Sequence, residues 1–114
     1  MKRMQNGPAN TRDCRVVNKY KTDWDVDIQR GTKFGNPYHT GTRGENILAF
    51  IPWFQNQVRT GAITIEELKE LDGKRLGCTC APLPCHGDYI AHVVNVLCIA
   101  RYNTRQPDHL VYSR

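Results

Sequence analysis

Cys78, Cys80, Cys85, His86 and Asp88 crowd into Lys74-Arg-Leu-Gly-Cys-Thr-Cys-Ala-Pro-Leu-Pro-Cys-His-Gly-Asp-Tyr-Ile90. Thiols, an imidazole and a carboxylate so close together allow three chemistries. Cys78, Cys80, Cys85 and His86 offer three thiolates and a ring nitrogen, enough for tetrahedral zinc. The Cys-x-Cys and Cys-His pairs are tighter than the usual zinc spacing, but residues 78 and 80 of a strand share a side and Pro84 supplies a turn. Alternatively, Cys85, His86 and Asp88 form a catalytic set at a helix amino terminus. The positive end of the helix dipole there lowers a thiol's pKa and attracts anions. An acid and a histidine would assist N-glycosidic or phosphoester cleavage. The plain alternative is structural. Cysteine packs as a small hydrophobe, Asp88 is an ordinary first-turn helix residue and His86 a cap.

The elements that position these groups follow from periodicity. Leu76, Cys78 and Cys80 alternate with Arg75, Gly77 and Thr79, as in a strand. Pro82 and Pro84 disfavour helix before each of them. From Gly87 the apolar residues Ile90, Val93, Val94, Leu97 and Cys98 recur at helical spacing, predicting a helix from about His86 to Tyr102. A strand feeding a helix is where α/β proteins commonly bind ligands.

A second segment, Gln29-Arg-Gly-Thr-Lys-Phe-Gly-Asn-Pro-Tyr38, reads as a glycine- and proline-rich loop. Arg30, Thr32, Lys33 and the amides near Gly31 suit an anion, Asn36 suits a base or sugar, and Cys80 would approach from the cysteine turn. Cys14–Asn18 and Asp23–Ile28 are strand candidates, close enough to pair as a hairpin. Trp24, Val26 and Ile28 are expected on one side, Asp23, Asp25 and Asp27 on the other. Thr42-Arg-Gly-Glu45 and Thr64-Ile-Glu-Glu67 have capping-box spacing. The first opens a helix through Ile47, Ile51, Phe54 and Val58, in which Pro52 should kink or divide the element. Thr60-Gly61 ends it. The second opens a short helix to about Leu71. Trp24 and Trp53 fall on apolar stripes and should pack. Cys14 and Cys98 should be core.

The 114 residues suit one domain, with a polar arm at 1–13 and an α/β domain over 14–114. The expected sheet is small, mixed or parallel, with flanking helices in a Rossmann-like order; residues 109–112 could add an edge strand. A formal charge of +5, from 16 Lys+Arg against 11 Asp+Glu, permits an anionic partner. The basic residues are scattered, so nucleic acid stays open. Five cysteines, an odd count with a local cluster, suit metal or thiol chemistry in a reducing cytoplasm better than a disulfide framework. No secretory signal or bilayer-spanning run is evident, so no membrane partner is expected.

Arg30-Gly-Thr-Lys-Phe-Gly-Asn-Pro-Tyr38 and Gly73-Lys-Arg-Leu-Gly-Cys-Thr-Cys-Ala-Pro-Leu-Pro-Cys-His-Gly-Asp88 together resemble a small, uncharacterised domain family of bacteriophages and bacteria. Its members carry an Arg-Gly-Thr/Ser-x-x-Gly-Asn-Pro loop, a Thr-Arg-led helix and a Gly-Cys-x-Cys-x-Pro-x-x-Cys-His-Gly-Asp turn. The likeness covers about residues 14 to 102, with Thr42-Arg43 at the helix start and Pro52 as a departure. It implies the fold and a phage association rather than a reaction. The expected function is binding of a nucleotide-like or other phosphorylated anion, with hydrolysis as an extension. The alternatives are a zinc-stabilised domain and a phage protein that binds a host protein in the host cytoplasm.

Overall fold

The alternation at Arg75-Leu-Gly-Cys78 becomes the middle strand of a three-stranded parallel sheet. A computed structural model describes residues 13–99. Most of the polar arm and the expected strand at 109–112 lie outside them. In chain order the elements are β1 (Arg15–Asn18), β2 (Val26–Asp27), α1 (Arg43–Thr60), α2 (Ile65–Lys69), β3 (Arg75–Cys78) and α3 (His86–Leu97). The strand order is β1-β3-β2, with both outer strands parallel to β3. The expected small sheet with flanking helices is therefore present.

The hairpin expected between the first two strands does not form. Residues 19–25 pass over β3 instead of reversing beside β1. Gly77 makes that passage possible: a Cβ there would lie 2.8 Å from Lys19 Cγ and 2.9 Å from Trp24 Cβ. Trp24 thus leaves the side of the sheet shared by Val26 and Ile28 and covers the opposite face. Lys19 Nζ stands 4.6 Å from its ring centre and bonds Asp27 at 3.0 Å. A second ion pair locks the crossover's end, where Asp25 accepts from Arg75 Nε and Nη2, both at 3.0 Å.

On the other face, Val16, Leu76 and Val26 form one registered row. Against it lies α3, whose Ile90, Ala91 and Val94 are buried. Gly87 lets this helix approach, since a Cβ there would come within 2.9 Å of Val16 Cγ2 and closer still to Ile28 Cδ1. Asn95 fastens the same helix to β1. Its Oδ1 accepts from Cys14 N at 2.8 Å and its Nδ2 donates to Cys14 O at 2.9 Å. Helix α1 packs on α3 through Phe54 against Tyr89 and Phe50 against His86, with ring centres 5.9 and 5.0 Å apart. Complete burial of Phe50 and Phe54 contributes about 1.5–3 kcal/mol each.

Both threonine capping boxes form, and Gly61 closes α1 in the left-handed conformation. Pro52 does not divide α1, which is one helix of 18 residues. The proline lies on the exposed side, so the Leu48 carbonyl that lacks its amide partner can face water. Helix α3 ends at Leu97, short of the expected extent. Cys14 is buried, Cys98 is half-buried against the core, and Trp53 packs 5.6 Å from Phe50. No helix among the described residues is long and apolar enough to cross a membrane.

Candidate ligand cavity at the carboxyl edge of the sheet

Where β3 ends, the chain turns through Thr79–Pro84 and starts α3. Asn18, at the end of β1, steadies this turn by donating from Nδ2 to Ala81 O at 2.8 Å. Cys85 is the N-cap of α3, with its Sγ accepting from Gly87 N at 3.2 Å. Asp88 completes the capping box by accepting from Cys85 N at 3.0 Å. Asp88 is therefore spent on helix capping.

His86, the first residue of α3, ties the glycine loop to the cysteine turn. Its Nε2 lies 3.0 Å from both Ile28 O and Phe34 O. Two carbonyl acceptors make Nε2 the protonated nitrogen and leave a lone pair on Nδ1, which sits 3.8 Å from Cys85 Sγ. Burial pushes the His86 pKa down and outweighs the carbonyl hydrogen bonds, so the ring is neutral at pH 7. The two distant motifs thus meet through this imidazole.

Between them lies a cavity of about 350 Å³. Arg30 and Gln29 come from the loop, Arg43 and Asn46 from the start of α1, and Thr79, Cys80, Cys85 and His86 from the turn. Asn36 and Tyr38 also line it. Two arginines face it, and no Asp or Glu among the described residues lines it. Arg43 makes one long bond, 3.4 Å from Nη1 to Pro84 O, and no bond or ion pair engages Arg30 among the described residues.

The expected anion-binding residues divide. Arg30, Asn36 and Cys80 line the cavity. Asn36 also braces it, donating from Nδ2 to Asn46 O at 3.1 Å. Gly31, Thr32 and Lys33 are not among the lining residues. Thr32 Oγ1 donates to Gln29 O at 2.7 Å, closing the loop on itself. Lys33 pairs with Glu67 of α2, so its charge is directed elsewhere.

The thiols converge. Cys78 and Cys85 Sγ are 3.5 Å apart, and Cys78, Cys80 and Cys85 sulfurs all lie within 4.8 Å of one another. His86 is not in that group. Cys78 Sγ also accepts from Cys80 N at 3.4 Å. Hydrogen bonding from Cys85 draws the Cys78 thiol down, with help from the Cys80 and Ala81 amides. Cys85 moves up, because its proton is held by Cys78 and because it is buried. The pair gives up one proton readily and keeps the other. Cys14 behaves oppositely to Cys78: burial, then Asp72, push its thiol up to about 12. The cysteine cluster can hold a metal ion; Cys14 is packing.

The sequence matches the Domain of unknown function (DUF4326) over residues 11–96. The chain belongs to the DUF4326 family. It is also 51% identical over 96 residues to the "Uncharacterized 12.4 kDa protein in nrdA-td intergenic region" of Enterobacteria phage T4, covering 82% of this chain and 89% of the relative. No solved structure matches. All the residues that line the cavity fall inside the DUF4326 segment. Sequence reasoning missed Arg43, Asn46, Gln29, Tyr38 and Thr79 as lining residues. For Arg43 a signal existed, since the residue after a helix N-cap stands at the positive end of the helix.

Proposed function

We propose that this DUF4326 domain binds a phosphorylated, nucleotide-like metabolite in the cavity between the glycine loop and the cysteine turn. One observation carries the reading: Arg30 and Arg43 face the same cavity, and no carboxylate among the described residues lines it. Guanidinium groups suit phosphate oxygens through forked, charge-assisted hydrogen bonds. Gln29, Asn36 and Asn46 offer the carboxamide donors and acceptors that a base or sugar needs. The volume is at the small end of ligand pockets, about 300–1,000 Å³, which suits a mononucleotide better than a dinucleotide. The position outside the carboxyl ends of parallel strands supports the reading by analogy with Rossmann-like folds. Hydrolysis would fall to His86 Nδ1, the ring nitrogen without a carbonyl partner; Asp88 would not take part directly.

The test is thermal denaturation with a panel of nucleoside mono-, di- and triphosphates. A ligand at 100 times its Kd that binds only the folded protein adds about 2.7 kcal/mol. The expected result is a raised Tm for the wild type and little or none for Arg30→Ala and Arg43→Ala. Equal responses in the variants would remove the cavity assignment.

The thiol cluster favours a second reading, a zinc-stabilised turn. Its specific support is the convergence of Cys78, Cys80 and Cys85. Zinc bound only to the folded state raises Tm, so chelation should lower it. An unchanged Tm after verified zinc removal would discard this reading.

A further inference from the structure

We propose that the cysteine cluster is a three-thiolate zinc site with an exchangeable fourth coordination position facing the cavity. This deepens the metal reading and rests on it; it adds that the ion is open to exogenous ligands rather than sealed in the turn.

Zinc–sulfur bonds of about 2.3 Å in a tetrahedral arrangement place sulfurs about 3.8 Å apart. The Cys78–Cys85 separation of 3.5 Å is already near that spacing, and Cys80 Sγ lies within 4.8 Å of both. Amides point at two of the sulfurs, Cys80 N at Cys78 and Gly87 N at Cys85. Such donors stabilise thiolate charge and orient the ligands. No fourth His, Cys, Asp or Glu joins the three among the described residues. His86 is the nearest alternative in sequence and its Nδ1 lies 3.8 Å from Cys85 Sγ, but neither ring nitrogen joins the three sulfurs in one cluster. All three cysteines line the cavity. Three protein ligands beside an accessible volume are the pattern of zinc sites that admit water or substrate, whereas structural sites close with four.

The experiment loads reduced, chelator-treated wild-type protein with Co²⁺, a spectroscopic substitute for zinc, and then adds imidazole as an exogenous ligand. The expected result is one Co²⁺ per chain, a thiolate charge-transfer band and tetrahedral d–d bands that shift with imidazole. In Cys80→Ser the charge-transfer intensity should fall by about a third for loss of one of three thiolates. In His86→Gln it should stay unchanged. Absence of stoichiometric thiolate-bound Co²⁺ would overturn both the metal reading and this inference. A thiolate site with d–d bands unmoved by saturating imidazole would overturn this inference alone and leave a closed zinc site. The imidazole measurement uses the wild type, so it separates open from closed coordination even if a variant does not fold.

Discussion

Two helices open on the cavity with the same four-position pattern, Thr42-Arg-Gly-Glu45 at α1 and Cys85-His-Gly-Asp88 at α3. Each closes a capping box. Their surroundings differ. The α1 opening is exposed, and a Cβ at Gly44 would meet nothing within 4 Å. The α3 opening is a packing joint, with Gly87 pressed on Val16 and Ile28 and His86 bonded to two carbonyls. One opening offers a guanidinium to the cavity. The other holds the loop and the turn together, and its cap is a thiol where hydroxyl or carboxamide caps are favoured. The same local motif thus becomes a charge-bearing rim in one place and a structural hub in the other.

Phe50 of α1 packs on His86 at the α3 opening, so its removal should break the comparison most severely. Phe50→Ala should cost about 3–5 kcal/mol in urea denaturation, because a fully buried ring beside His86 is lost. A cost below about 1 kcal/mol would mean the joint does not depend on it. The glycines give the sharpest contrast. Gly87→Ala should destabilise by about 1–3 kcal/mol through overpacking. Gly44→Ala should stabilise by about 0.5–1 kcal/mol by removing unfolded-state freedom and favouring helix. Effects of the same sign would abolish the distinction between rim and hub.

The caps differ by less. Thr42→Ala should cost about 1 kcal/mol, the usual loss for an N-cap. Cys85→Ser should change metal-free stability by less than about 1 kcal/mol, since serine is itself a good cap. If the cluster binds zinc, that substitution should also erase the zinc-dependent gain in Tm. Denaturation with and without the ion checks both outcomes.

The smallest effect belongs to the third opening, at α2. The Lys33 ammonium first, then the Thr64 amide, hold the Glu67 carboxyl below its ordinary 4.5. A depressed folded pKa gives stability that is present above 4.5 and lost as pH falls through the folded value. Lys33→Ala should move the Glu67 titration, followed by NMR, back towards 4.5 while leaving cavity ligand affinity unchanged. A drop in that affinity would return Lys33 to the site.

Local pattern alone determined a good deal. Capping spacing located the starts of α1 and α2, and alternation followed by a helical period located β3 and α3. Those features depend on neighbours a few residues apart. The crowding of thiols was also visible, because residues 78–85 cannot spread far. Tertiary structure decided the rest. Whether β1 and β2 paired depended on a path over Gly77, set by a strand far along the chain. Trp24 changed faces for the same reason. Arg30 and Lys33 were equivalent as sequence, but Glu67 of a distant helix claimed one and the cavity received the other. His86 acquired its tautomer only when Ile28 and Phe34 brought their carbonyls to it. Short-range preferences are written into consecutive residues, whereas the partner of a charge or a ring nitrogen is fixed only when packing brings remote segments within a few ångströms.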